Sequence, residues 1–223
     1  MSFKRSFCLD QYYKGDGLTK KLIGIGFKIG GEPELNPNIE DTLISAAIEG
    51  ILGDFRTLSL LTDWITIHHK IINIDRLSIA LMELKNPKVN AYFSAIFSHL
   101  KETKRYKKII NLYKGPPQLL EDKKSYAFLI ERNGEDIRFK NSKFKVANGS
   151  LRARPEDISS PAELAKIHKD YYFRVLMGPC FRADMISIFI RKKDISPSEL
   201  AHSCYGSYAT AWEVINDIRS IEK

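Results

Sequence analysis

Apolar residues recur at helical spacing through most of residues 38–113. In "NIEDTLISAAIEGILGD", Leu43, Ile44, Ala47, Ile48, Ile51 and Leu52 form one stripe, with Asn38 as a cap and acids in the first turn. "DFRTLSLLTDWITIHHKI" continues with Phe55, Leu58, Leu61, Trp64, Ile65 and Ile72. "DRLSIALMEL" predicts a shorter helix, "NPKVNAYFSAIFSHLKE" one opened by Pro87, and "KRYKKIINLYKG" one stopped by Pro116–Pro117. Before this block the pattern is ambiguous. In "KKLIGIGFKIGGE", Ile23, Ile25, Phe27 and Ile29 alternate like a strand, and a short helix ending at the glycines fits as well.

The pattern changes in "SYAFLIERNGEDIRFKNSKFKVANGSLRAR", where apolar and polar residues alternate around Asn133–Gly134 and Asn148–Gly149. Asn-Gly between alternating runs signals a hairpin, because both residues tolerate positive φ. Four short antiparallel strands in a meander are the expectation. From Ser160 the chain turns helical again. "SPAELAKIHKDYYFRVLMG" and "SPSELAHSCY" both open with the residues of a capping box, and "FRADMISIFIRKKD" is an amphipathic helix. The fold expected is α+β and mainly α. Its parts are an N-terminal segment (1–37), a helical block (38–118), a small antiparallel sheet (119–158) and a C-terminal helical unit (159–223).

The last unit matches the spacing of a helix-turn-helix, with a winged-helix form as the alternative. Ala201 occupies the small crossing position, Ser207 the cap of the second helix, and Ala211, Val214 or Ile215, and Ile218 its docking face. Gly206 falls one residue after the usual turn glycine, whose place Tyr205 takes. Ser207, Tyr208, Ala209, Thr210 and Asn216 are the candidates for contact with nucleic acid. Asn216 suits adenine, and Tyr208 or Thr210 a phosphate or thymine methyl. Yet residues 181–223 hold six cations against six anions, so this unit alone lacks the charge for phosphate affinity.

Charge shifts attention upstream. The chain carries +8 with a pI near 9.3, which suggests an acidic partner, most commonly nucleic acid. Residues 101–154 hold fifteen cations and six anions, an excess larger than that of the whole chain. In the expected meander, Arg138, Lys140, Lys143, Lys145, Arg152 and Arg154 alternate with Ile137, Phe139, Phe144, Val146, Leu151 and Ala153, which would place six cations on one face. The "KETKRYKKIINLYK" helix adds Lys104, Arg105, Lys107 and Lys108. These ten residues are the candidate basic surface.

Little points to catalysis. His68, His69, His99, His168 and His202 lack zinc-ligand spacing, and no phosphate-loop or nucleophile-elbow motif occurs. A Cys–His nucleophile built on Cys180 or Cys204 is the remaining enzymatic alternative. Three cysteines, Cys8, Cys180 and Cys204, form no disulfide framework. "MSFKRSFCLDQYYKG" lacks the apolar segment of a secretory signal, and no run is long enough to span a membrane. The expectation is a cytoplasmic, non-enzymatic protein without cofactor or metal. Its partner would be DNA, or an acidic protein in an antitoxin-like interaction module.

Several clusters together resemble an uncharacterised bacterial protein family: "GDFRTLSLLTDWITIHH", "DRL" at Asp75–Leu77, "DIRF" at Asp136–Phe139, "LRAR" at Leu151–Arg154, "HKDYYFRVLMGPCFRADM" and "YGSYATAW". The resemblance covers most of residues 50–215, and its most specific parts are "GPCFRADM" and the final motif. It implies a regulator, or a partner of nucleotidyltransferase toxins like those of abortive-infection systems, and it brings no catalytic residues. Antitoxins of that kind usually carry a winged helix at the N-terminus, whereas the motif here is C-terminal. Arg182 and Asp184 stand at the start of the helix before the motif, where a salt bridge or cap would set that helix's angle.

Overall fold

The structure is a computed structural model and describes residues 12–100 and 102–221. It is mainly helical. A first group packs α1 (Gly15–Gly24), α2 (Ile39–Leu52), α3 (Phe55–His68), α4 (Ile74–Leu84), α5 (Pro87–His99) and α6 (Thr103–Ile110). After α7 (Lys124–Asn133) come α8 (Pro161–Ile167), α9 (Lys169–Met177), α10 (Phe181–Arg191), α11 (Pro197–Ser203) and α12 (Tyr208–Ile221). None of these helices is long and apolar enough to cross a membrane.

Short polar side chains set where the first helices begin. Asn38, Asp54, Asn73 and Asn86 each accept a backbone N–H of the turn they open, and Pro87 follows the last of them. Between α2 and α3, Gly50 permits close approach, since a Cβ there would lie 2.7 Å from Leu58 Cβ. Trp64 is fully buried, and its indole N–H donates to the Ile25 carbonyl at 2.7 Å, closing the chain after α1 onto α3. The ambiguous stretch before Pro37 therefore takes the form of the short helix rather than the strand. It is helix to Gly24, then a single antiparallel bridge from Phe27 to Ile158.

The antiparallel meander expected over residues 119–158 does not form. Two-residue strands β1 (Gln118–Leu119) and β2 (Phe144–Lys145) pair in parallel instead. The first expected strand is α7, because Tyr126, Leu129 and Ile130 lie on one helical face and pack on the core. Its Asn-Gly pair ends the helix, with Gly134 at φ 78° as the C-cap, rather than turning a hairpin. The second pair forms a surface turn, with Gly149 at φ 86°. Ile137, expected inside, is 75% exposed, and Ala153 is exposed as well. Phe139, Phe144, Val146 and Leu151 are buried, and the two phenylalanine rings stack around Tyr92. One continuous core thus runs from Leu18 through this segment to Tyr171.

A single helix was also expected from Ser160 to the Met177 region, and it breaks at His168. That residue ends α8, and its Nδ1 accepts the Tyr171 N–H to cap α9. Both capping boxes form, Ser160 with Glu163 and Ser196 with Glu199. Ser196→Ala removes an exposed cap from the short helix α11 and should lower stability by about 1 kcal/mol. Urea denaturation of the variant checks this, and an unchanged midpoint would show that α11 does not depend on its cap.

Candidate nucleic-acid interface

Helix α6 buries Tyr106 and Ile109, which turns Lys104, Arg105, Lys107 and Lys108 outward. These four line an open groove of about 650 Å³ against Asn73 and Asp75 of α4's first turn, and the groove reaches Pro179 at the start of α10. Lys108 pairs with Asp75 across it. Arg105 donates to the Lys70 carbonyl and lies 3.8 Å from Glu102. Lys104 and Lys107 form no ion pair among the described residues.

The other six cations expected in the basic surface do not line up on one face. Arg138 turns inward, where it binds Asp136 at 2.6 Å and the Leu151 carbonyl and lies 3.6 Å from Asp63 of α3. Lys145 pairs with Glu135 at 2.8 Å. Arg154 lies 3.8 Å from Asp157, and its backbone N–H donates to Asp63. Lys140, Lys143 and Arg152 remain exposed. The period-two argument fails because the chain turns at residues 136–141 and again at 148–150. Acids brought close by these turns then pair with Arg138, Lys145 and Arg154, and leave Lys140, Lys143 and Arg152 exposed.

Helices α10, α11 and α12 enclose a small core of their own, with Met185, Phe189, Leu200, Ala201, Ala211, Val214 and Ile215 buried. Ala201 is fully buried, as its small size at the crossing suggests. Ser207 caps α12 by accepting the Thr210 N–H at 3.1 Å, and the two hydroxyls lie 2.8 Å apart. Tyr208 and Ala209 are exposed, while Thr210 and Asn216 are half-buried. Trp212, one turn beyond Tyr208, is 53% exposed and adds an aromatic side chain that the motif reading passed over. The spacing of four from Tyr208 was its signal. Tyr205 adopts the left-handed backbone, φ 54°, where the template expects glycine. Gly206 lies against Met185, whose Cε would be 2.1 Å from a Cβ there and would have to shift.

Ionic contacts fasten this unit to the body. Arg182 and Asp184 do not pair with each other. Arg182 binds Asp217 of α12 at 2.6 Å, while Asp184 faces inward to Arg174 of α9. The Arg174 guanidinium is buried and bridges Asp184 and Glu40 of α2, each through two nitrogens. Arg76 lies 3.8 Å from Glu40 and 3.4 Å from Asp41, with its guanidinium 4.4 Å from the centre of the Tyr205 ring. Asp170 accepts from both Ser187 and Arg191 at 2.6 Å. Asp184 is neutralised by Arg174 outside the segment and Asp217 by Arg182 within it, while Lys192 and Lys193 stay exposed beside an open groove of about 860 Å³ that the acids Asp194 and Glu199 line as well.

Among the described residues no group of three or more His, Cys, Asp or Glu side chains is placed to hold a metal ion. Comparison of the chain with family models, curated protein sequences and solved structures finds no match.

Proposed function

We propose that this chain is a nucleic-acid-binding regulator that joins a basic groove to a C-terminal helix-turn-helix-like unit. The observation that carries the reading is the groove along α6, where four cations face a single acid, Asp75. Phosphate neutralisation supplies most of the affinity of such proteins for DNA. In this reading Tyr208, Ala209, Trp212 and Asn216 of α12 approach the bases, with Asn216 suited to adenine. The uncharacterised bacterial family that "GPCFRADM" and "YGSYATAW" resemble implies a regulator or a partner of toxins, which is compatible with this reading.

A mobility-shift titration of duplex DNA across ionic strength tests it. If four phosphates are neutralised, affinity falls on the order of a hundredfold between 50 and 200 mM salt. Absence of duplex binding at low salt would sink the reading. The second reading is an antitoxin-like interaction module. It is favoured by exposed apolar side chains on α9, namely Tyr172, Val175, Leu176 and Met177, and by the exposed Trp212. Under it, Tyr208→Ala with Asn216→Ala leaves a stable complex with a neighbouring gene's product intact, and no DNA is bound.

A further inference from the structure

We infer that the groove between α4 and α6 is a site for a phosphate ester, seated where the first turn of α4 meets Lys104 and Lys107. The inference deepens the nucleic-acid reading by assigning the seat of one phosphate, and it rests on that reading only for the macromolecular source of the ligand.

Three features of the groove converge. Lys104 and Lys107 are three residues apart on one side of α6 and are exposed, with no ion pair among the described residues. Opposite them lie Ile74 and Asp75, the first two residues of an eleven-residue helix. The N–H groups of a first turn have no partner within the helix, and the helix dipole adds positive potential there. Asn73 is the third feature. It lines the groove and is 2% exposed. Its Oδ1 is taken by the Arg76 N–H at 3.1 Å, but its Nδ2 has no hydrogen-bond partner. A buried amide donor without an acceptor is costly unless a ligand supplies one.

Ammonium groups and backbone N–H groups make a lining rich in donors, with the orphaned Asn73 amide buried in its wall, and such a lining suits the oxygens of a phosphate. The one carboxylate in the groove, Asp75, is tied to Lys108 and so presents less negative charge to an incoming anion. The volume of about 650 Å³ exceeds that of a lone phosphate and leaves room for the alcohol it esterifies. The seat is rigid from behind, since the Asn73 N–H donates to the buried Glu40 carboxylate at 2.9 Å. The phosphate can belong to a nucleic-acid backbone or to a free nucleotide-like molecule, and both present the same oxygens.

Pyrophosphate is the probe, followed by amide chemical shifts of the whole chain and by calorimetry. The expected result is shifts confined to residues 72–76 and 104–111, with affinity reduced about tenfold or more in Lys104→Glu/Lys107→Glu. The control Lys140→Glu/Lys143→Glu, exposed and outside the groove, should stay within about twofold of the parent. If pyrophosphate displaces bound duplex, the phosphate is a backbone phosphate. If both bind together, it belongs to a free ligand. Shifts elsewhere, or equal affinity in Lys104→Glu/Lys107→Glu and the parent, would overturn the inference while leaving duplex binding as a separate result. Pyrophosphate bound in the groove of a protein that binds no duplex at low salt would uphold the site and remove the nucleic-acid reading.

Discussion

Arg174→Ala is expected to lose about 3–5 kcal/mol of folding stability, the range for removing one partner of a buried ion pair. Arg174 makes five hydrogen bonds, to Glu40, Asp184 and the Ile71 carbonyl, and its carboxylate partners are fully or almost fully buried. Burial alone would push its pKa down, but Asp184 and Glu40 hold it well above the usual arginine value, so the guanidinium stays charged. Burial pushes the Glu40 carboxyl up, and Arg174 and Arg76 more than reverse this. Without Arg174, the buried Glu40 and Asp184 carboxylates lie close together with Asp41 nearby, and Arg76 is the main cation left to offset them. Arg174→Lys should recover only part of the loss, because one ammonium cannot bind two carboxylates side-on. Urea denaturation of both variants measures this. A loss below about 1 kcal/mol for Arg174→Ala would mean that the cluster does not hold the α10–α12 unit to the body.

Acid should weaken the fold well above the carboxylate range, because two histidines are buried in their neutral form. His68 Nε2 lies 3.0 Å from the Ser159 carbonyl and must donate to it, so Nδ1, 2.9 Å from the Tyr171 hydroxyl, accepts. His168 repeats the pattern, donating from Nε2 to the Pro37 carbonyl and accepting the Tyr171 N–H at Nδ1. Burial lowers the His68 pKa to about 4, against a partial offset from the Ser159 bond. Burial also lowers His168, with Asp170 opposing and Arg174 and Arg191 assisting. The unfolded imidazole gains a proton as pH falls through about 6.5, whereas folded His68 resists until about 4. Its contribution is therefore whole above 6.5 and is lost between 6.5 and 4, roughly 3 kcal/mol across the window. Asp41 and Asp63 act in the opposite sense, since burial raises both carboxyls and they favour the fold as pH falls. Comparing His68→Gln with the parent at pH 7 and pH 5 isolates the imidazole. The same drop in both proteins would refute the assignment.

The helices of the first half were legible because their caps and stripes agree. Asn38, Asn73 and Asn86 cap the stripes they precede. The meander failed where the local signal had two solutions. Tyr126, Leu129 and Ile130 satisfy a helix, and Asn133–Gly134 ends a helix as readily as it turns a hairpin. The break at His168 was hidden because its cause is tertiary, a carbonyl from Pro37 far away in sequence. The basic surface was half legible. On α6 the spacing of Tyr106 and Ile109 fixes which side the cations take. For Arg138 the main partner, Asp136, is only two residues away, but the turn that brings the two together, and the contacts with Leu151 and Asp63 behind it, follow from packing that no local pattern announces. The buried cluster around Arg174 was invisible for the same reason, although its residue Asp184 drew notice within "RADM".

Tyr205 carries a consequence for how separable the C-terminal helices are. A left-handed backbone at a tyrosine costs on the order of 1–2 kcal/mol, which glycine at the same place would avoid. What holds the tyrosine there is its ring, nearly buried against the body and stacked on Arg76. The shape of the turn between α11 and α12 is thus imposed from outside the three helices it belongs to. A transplant of residues 181–221 into another host would carry the residues of the turn but not the surface that bends it.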